Sequence, residues 1–522
     1  MNEIEIFGSY SGLKLNRNKT EGLWVGKLKS CKDKIEGINW SNGPVKTLGI
    51  YFGHCREECE KLNWENKIEK MNKLFCSWQK RNLTIFGKIL IIKTLIVPIF
   101  TFVGSACRVP EKFLKEIEKS CFKFVWDNKP DKVKRNSIIG PYEKGGLDMI
   151  DIRSYFTALK AMWVKRLVND CEGGWTIIPQ HYFYNFGSNW LVFQTNSGDK
   201  TDESIENIPD FYKDIIKCWK LTGGGLTKKP ETFTDIRKQI LWNNKFIKFE
   251  NKAIFLKYWI KSDLIYVNDI IDEKGCISQD IILNKLKNKS NWIAEINLVK
   301  KSIPKDWAAI LKSENSIKSI VNIKRNQFIL DGLPIKLEAL TNKLVYKSLI
   351  NKKIEPAIGP KKWLRIFDID DVLYQNYLYK FLFRYLKENK LRIFRWKLLQ
   401  HILPTKKLLC RWKIVNNSSC NFCTQEEDYD HFFMLCPYLK LFWNKIDDVL
   451  KNSKITFKIK LRHLVFGYKT SDEEYFDFNY FLTIVGFSIY KAYYISDQKT
   501  KNVNVFSIFL NEFNRRVCLK IK

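Results

Sequence analysis

Acidic residues are in short supply. The 522-residue chain carries 56 Asp+Glu against 89 Lys+Arg, a formal net charge of +33. An excess of this size suits a polyanionic partner, and nucleic acid is the commonest. A coding bias towards Lys, Asn and Ile is the compositional alternative, but the basic residues also cluster, which favours contact with a polyanion. Histidine is scarcer still, at five residues. Long apolar runs are missing as well. The most apolar stretch, 85–103, is interrupted by Lys88, Lys93 and Pro98, whereas a membrane span needs about 20 uninterrupted apolar residues, so no membrane segment is expected. No N-terminal signal precedes the 14 scattered cysteines, and a reducing, intracellular setting in the nucleus or cytoplasm follows. There is no repeat of fixed period, no long low-complexity segment, no Gly-rich phosphate loop and no Ser/His/Asp arrangement that spacing alone supports.

Against that background, one cluster stands out. Cys420-Asn421-Phe422-Cys423 is followed by His431 and Cys436, a Cys-x2-Cys-x7-His-x4-Cys pattern. Zn²⁺ prefers four thiolate or imidazole ligands in a tetrahedron, and Cys-x2-Cys lets one tight turn present two sulfurs. Pro437 disfavours helical geometry at Cys436 and suits a first helical position, so Cys436 is expected in a bend before a helix over 438–450. Four protein ligands leave no open position, which makes the expected zinc structural and not catalytic. Phe432, Phe433, Leu435 and Trp443 are expected to form the small core that the metal pins. Buried free thiols beside a core histidine are the plain alternative. His54, Cys55 and Cys59 offer three ligands and no fourth, and read better as a surface loop.

Periodicity predicts a mainly α chain of the α+β class, with short strands confined to the N-terminus. Gly12-Leu13-Lys14-Leu15-Asn16, Gly22-Leu23-Trp24-Val25-Gly26 and the run 45–52 alternate as strands do. Three strands without companion helices do not close a sheet domain, so the chain reads as starting within a domain. Residues 62–79 turn to helical period, with Ile68, Met71, Leu74, Phe75 and Trp78 on one stripe. Further helices are expected over 87–95, 111–125 and 152–168, with a basic loop at 129–135 and a turn at Gly145-Gly146. Polar or Gly-rich breaks near 196–207 and 223–232 read as linkers. Short helices are expected over 233–345 with a hairpin about 247–253, and long aromatic-basic helices through 374–399.

Three basic patches emerge. Lys80, Arg81, Lys88 and Lys93 form the first, and Lys132, Lys134 and Arg135 the second. The third contains Lys380, Arg384, Lys387, Lys390, Arg392, Arg395 and Lys397, interleaved with Phe381, Tyr385, Phe394 and Trp396. Aromatics among cations can stack exposed bases, or can equally be the core stripe of a helix. Phe367-Asp368-Ile369-Asp370-Asp371 precedes a helix predicted over 373–385 and reads as its cap. Asp447-Asp448 reads as a solvated helix face, and Asp472-Glu473-Glu474 with Asp477 as a solvated turn.

Several blocks together resemble the C-terminal half of a non-LTR (LINE-type) retrotransposon reverse transcriptase. Ser11-Gly12-Leu13-Lys14-Leu15-Asn16 with Lys19-Thr20-Glu21 is similar to the palm segment after the catalytic hairpin, and Leu48-Gly49-Ile50 to the strand entering the thumb. Trp78, Arg81-Asn82-Leu83-Thr84-Ile85-Phe86-Gly87-Lys88 and Pro98 resemble the thumb. Glu143-Lys144-Gly145-Gly146-Leu147, Leu241-Trp242-Asn243-Asn244 and Phe394-Arg395-Trp396-Lys397-Leu398-Leu399 before the cysteines resemble the family's segments downstream of the thumb, ending in the reverse-transcriptase zinc-binding domain. The resemblance divides the chain into a partial palm (1–55), thumb-like helices (56–135), a helical connecting region (136–345), a zinc-binding domain (346–450) and a helical extension (451–522). It implies that thumb cations lie along the phosphates of RNA or an RNA/DNA duplex.

Polymerisation in that family uses two Mg²⁺ ions about 3.5–4 Å apart on palm aspartates, which in the family lie upstream of this sequence. No aromatic-x-Asp-Asp motif occurs here. The expectation is therefore an inactive, nucleic-acid- and zinc-binding segment, with Mg²⁺ engaged only if an upstream reverse-transcriptase half supplies the palm. A protein-interaction scaffold built on the zinc module and a non-functional gene fragment are the competing readings.

Overall fold

The computed structural model describes residues 2–31, 37–169, 173–187, 190–194, 207–225, 229–286, 292–313, 327–331, 333–369, 379–468, 473–496 and 503–520. Helices dominate, and the described strands form four two-stranded ladders of two to four residues per strand. The mainly α expectation holds. The chain separates into two compact units. One contains 1–71, 97–118 and 151–352, and the other 72–96, 119–150 and 353–522.

The first unit centres on the helix Ile152–Ala161, whose cap Asp151 accepts the Ser154 amide at 3.2 Å. Trp64 is fully buried there among Phe100, Phe113 and Phe156. Gly104 lets the Phe156 ring approach, since a Cβ at that position would stand 2.3 Å from it. A second core gathers Trp242, Trp259 and Trp307 with the branched aliphatics of 236–311. The expected hairpin forms as Lys248–Phe249 against Lys252–Ala253, turning through Glu250 and Asn251 at positive φ. A second hairpin, Gln327–Leu330 with Leu333–Lys336, was not anticipated.

The N-terminal strands are corrected. Asn2–Ser11 is a helix that ends on Gly12 at φ 72°, and residues 13–16 have no regular structure. Leu13 and Leu15 alternate but find no partner strand, and both are exposed. Of the run 22–26 only Gly22 is in a strand, in the parallel pair Glu21–Gly22 with Asn39–Trp40. The run 45–52 folds back as Val45–Thr47 against Ile50–Phe52. Leu48 and Gly49 are both at positive φ, as a two-residue mirror-image turn requires.

The helix at 111–125 matches its prediction, and the one predicted over 62–79 begins six residues earlier, at Arg56. The one predicted over 87–95 is longer: Ile85–Ile91, a wide turn at Ile92–Ile96, then Val97–Ala106. Pro98 has no amide for the carbonyl four residues back, and the wider turn accommodates its ring. By length and composition this 22-residue helix could cross a membrane. Its Lys88 is nevertheless buried in an ion pair with Asp127 at 2.5 Å, and Ile89, Ile92, Ile96, Phe100 and Val103 are buried in protein. The helix predicted over 152–168 breaks at Met162 into Ile152–Ala161 and Trp163–Asn169.

In the second unit, two blocks 250 residues apart in sequence meet. The indole N–H of Trp396 and the side-chain NH2 of Gln400 both donate to the Gly145 carbonyl at 3.1 Å. Gly145 has φ 79°, and a Cβ on Gly146 would stand 1.8 Å from the Gly140 oxygen. The Glu143–Leu147 motif therefore needs its glycines for close packing. Of the long helices predicted through 374–399, the described residues form a wide turn at Phe381–Tyr385 and the helix Asn389–Leu399. Asp370, Asp371 and residues 373–378 of the helix predicted over 373–385 lie outside the described residues, as do Asp472 and most of the linker near 196–207. Asp368 is the left-handed C-cap of the preceding helix Ile358–Phe367.

Candidate metal centre

Residues 418–427 form a tight loop. Ser419 bridges Glu426, the Cys420 amide donates to the Gln425 carbonyl at 2.7 Å, and that of Glu427 to Ser418 at 2.9 Å. Thr424, at φ 63°, turns the chain after Cys423. The Phe422 amide points back at Cys420 Sγ, 3.4 Å away. Asp428 then accepts the His431 amide at 3.0 Å and starts a helical turn that widens over His431–Leu435. The Cys436 amide closes it on the His431 carbonyl at 3.1 Å. This five-residue closure stacks His431 and Cys436 one turn apart, where a regular helix would splay them. Cys436 is extended (φ −61°, ψ 122°) ahead of Pro437, and the helix Lys440–Asn452 follows.

The four ligand atoms lie within 4.8 Å of one another. Cys423 Sγ is 3.1 Å from His431 Nε2, 3.8 Å from Cys436 Sγ, and Cys436 Sγ is 4.0 Å from Cys420 Sγ. The edges of a tetrahedron around an ion with S and N ligands are about 3.8 and about 3.6 Å. A disulfide needs about 2.05 Å, so these sulfurs are not bridged to one another. Cys420, His431 and Cys436 are buried and Cys423 is half-buried. Donor set and spacing fit a four-coordinate metal ion, and the four residues form a possible metal site.

Electrostatics support it. The Cys420 thiol is pulled well below its ordinary range by the hydrogen bond from Cys436, against burial, with help from the Phe422 amide. Cys436 is pushed up as the donor in that pair and by burial. Glu427 is buried beside them. Its Oε1 accepts the Lys406 amide at 2.8 Å, and burial pushes its carboxyl up to about 8.

Aromatic rings hold the loop. Phe422 stacks on Tyr438 at 4.2 Å and meets Tyr493 edge-on at 4.8 Å, while Phe432 stacks on Tyr493 at 4.2 Å. The Tyr493 hydroxyl lies 3.7 Å from Cys420 Sγ. Phe432 and Phe433 are buried as expected, and Trp443 donates to the Phe433 carbonyl at 3.0 Å. Leu435 is corrected: it is 67% exposed, because the wide turn carries it out of the core. Tyr438 and Tyr493 were missed. The signal for Tyr493 was the helix Phe476–Ser496, apolar on every side and hence packed on several.

The expected nucleic-acid residues have unequal fates. Lys80 and Arg81 are exposed past the helix Arg56–Gln79, with the Arg81 guanidinium 4.4 Å from the Trp78 ring centre. Lys88 is corrected, being buried against Asp127. Lys93 pairs with Asp148 at 2.5 Å, Lys134 with Glu355 at 2.8 Å, and Arg135 with Asp131 at 2.7 Å. Lys390 is exposed. Arg392 donates to the Leu386 and Phe383 carbonyls, closing the turn that ends there. Arg395 is corrected too: it is 1% exposed and donates to the Leu464 carbonyl, out of reach of a phosphate.

Residues 370–443 match the family model of zf-RVT, the zinc-binding region in reverse transcriptase. Over 134 residues the chain is 22% identical to a protein named "Putative ribonuclease H protein" from Arabidopsis thaliana, covering 24% of this chain and 22% of that protein. The chain thus spans about a fifth of the length of that curated relative. Both similarities point to a retrotransposon-related protein.

Proposed function

We propose that this chain is a nucleic-acid-binding segment of a LINE-type reverse transcriptase, with a structural Zn²⁺ held by Cys420, Cys423, His431 and Cys436. One observation carries the reading: the four ligands converge inside the stretch similar to the zinc-binding region in reverse transcriptase. Three sulfurs and one imidazole favour zinc over the oxygen-seeking Mg²⁺ or Ca²⁺. The metal joins the 418–427 loop to the turn at His431–Leu435, neither of which has a core of its own size.

The ligand is RNA or an RNA/DNA duplex, met through phosphates by exposed cations such as Lys80, Arg81 and Lys390. Contacts of this kind are blind to sequence and weaken steeply with salt. The chain does not polymerise alone, since none of its residues forms an aromatic-x-Asp-Asp motif. Mg²⁺ would engage palm aspartates only where an upstream reverse-transcriptase half supplies them, and the exposed apolar residues Ile6, Phe7 and Tyr10 offer that half a surface. We place it inside the cell, in nucleus or cytoplasm, and off the membrane.

Purified chain should carry one zinc and bind both RNA and a hybrid duplex at low salt, with affinity falling linearly on a log–log salt plot. Template-dependent primer extension in Mg²⁺ would refute the inactive reading. Absence of any salt slope, together with tight binding to a protein, would favour the interaction scaffold.

A further inference from the structure

Residues 131–137 and 400–412 face each other across a cleft of about 730 Å³. Five cations line it: Lys132, Lys134, Arg135, Lys362 and Arg411. Lys134 and Arg135 are partly neutralised by Glu355 and Asp131. Lys132, Lys362 and Arg411 have no carboxylate at ion-pair distance among the described residues. Trp412 forms one wall, with the Lys132 ammonium 5.1 Å from its ring centre. Ser137, only 4% exposed, also lines the cleft, and its buried Oγ meets no partner among the described residues. Burial, with Lys129 adding to it and Asp127 opposing, holds the Lys132 ammonium below its usual range.

We propose that this cleft receives an unpaired nucleotide of a single-stranded nucleic acid, its base on the Trp412 indole and its phosphates on Lys132, Lys362 and Arg411. The assignment rests on the nucleic-acid reading above and says which form of nucleic acid enters here. The size decides against a duplex, whose groove-bearing surface can lie across the rim but cannot enter a cavity that holds one or two nucleotides. The wall decides for a base. Stacking on an aromatic is worth roughly 5- to 150-fold in affinity per base, against roughly 2- to 30-fold for a cation–π contact, the upper end when desolvated. A base competes with Lys132 for the indole, and the freed ammonium turns to the adjoining phosphate. Ser137 Oγ supplies a hydroxyl for a polar edge.

The test uses the full zinc-loaded chain and labelled oligonucleotides read by fluorescence anisotropy at low salt. The probes are a short oligo(U), a short oligo(dT) and a blunt duplex of equal length. Trp412→Ala should weaken both single strands by roughly 5-fold or more and leave the duplex unchanged. Trp412→Phe should restore most of the loss. Lys362→Glu with Arg411→Glu, both at exposed positions, should weaken the single strands and flatten their salt slope.

If the unaltered chain binds the probes but these variants bind single strands equally well, the cleft assignment is wrong and the broader reading survives. Equal losses on duplex and single strand would also overturn it, since that is the behaviour of an undifferentiated anion surface. If the unaltered chain binds none of the probes, the broader reading itself fails.

Discussion

The loop around Cys420 and the first fifty residues are both poor in regular structure, yet they are held in opposite ways. Among the described residues of 2–52, only Ile50 is buried, and the ladders there are two or three residues long. The segment leans on single contacts, such as Trp24 stacked on Trp40 at 4.8 Å and Asn63 bonded to both backbone groups of Tyr51. Tyr10 is 88% exposed. The metal-site loop is no longer, but three of its four ligands are buried and its aromatics stack on a neighbouring helix. Short segments without their own core need either a cross-link or a large partner surface. One region has the first in prospect, and the other shows neither among its described residues.

The largest test of that contrast removes the cross-link. Structural zinc in small modules is worth about 10 kcal/mol or more apparent. Cys423→Ser, or a strong chelator, should abolish cooperative unfolding of the 418–450 region and strip one zinc per chain by elemental analysis. Cys31→Ser should change neither. A chelated protein whose near-ultraviolet circular dichroism and melt are unaltered would mean the loop is held by its aromatics alone.

Next in size is the packing that supports the module from its own unit. Trp396 is fully buried and donates to the Gly145 carbonyl. Truncating it to Ala should cost about 3–5 kcal/mol in a denaturant melt, as for other buried tryptophans. Gly146→Ala should match it, because its Cβ has no room beside Gly140. If Gly146→Ala is tolerated while Trp396→Ala is not, the glycine turn is less tightly packed than its contacts indicate.

The helices at 56–79 and 111–125 were legible because their apolar residues repeat at helical spacing and one face of each meets a core. The metal ligands were legible because spacing and a rare histidine coincide. What sequence concealed is of two kinds. Alternation at Leu13 and Leu15 resembles a strand, but a strand exists only if another pairs with it, and pairing is not local. Cations look alike in sequence whether they face water or, like Arg395, cap a distant carbonyl. Lys88 shows the same ambiguity, since the carboxylate that buries it lies 39 residues away.

A smaller effect separates the metal from the rest of its unit by pH. His463 Nδ1 accepts the Lys460 amide at 3.0 Å, and burial, aided by Arg462 and Lys460, lowers its pKa to about 4 from 6.5. The unfolded chain takes up that proton below about 6.5, whereas the folded chain refuses it until about 4. Stability contributed by neutral His463 is therefore complete above 6.5 and lost as pH falls towards 4. Allowing for solvent screening, the loss is about 1–2 kcal/mol. The difference in unfolding free energy between the wild type and His463→Asn should shrink from pH 7 to pH 5 with zinc saturating. A constant difference would place the burial of His463 in doubt.

The smallest effect belongs to the other region. The helix Asn2–Ser11 buries no residue, and among the described residues its side-chain ties beyond itself include the exposed Arg17–Glu5 pair at 2.9 Å and the Leu13 amide on Ser11 Oγ at 3.3 Å. Surface pairs of this kind contribute about 0–1 kcal/mol, so deleting residues 2–11 should shift the melt by no more than that. The same deletion removes Ile4, Ile6, Phe7 and Tyr10 from the surface, which should lower self-association on size exclusion, because exposed apolar side chains drive it. A truncated chain that melts several degrees lower at unchanged association would show that the helix is packed in solution, and the contrast between the two regions would lose its weaker half.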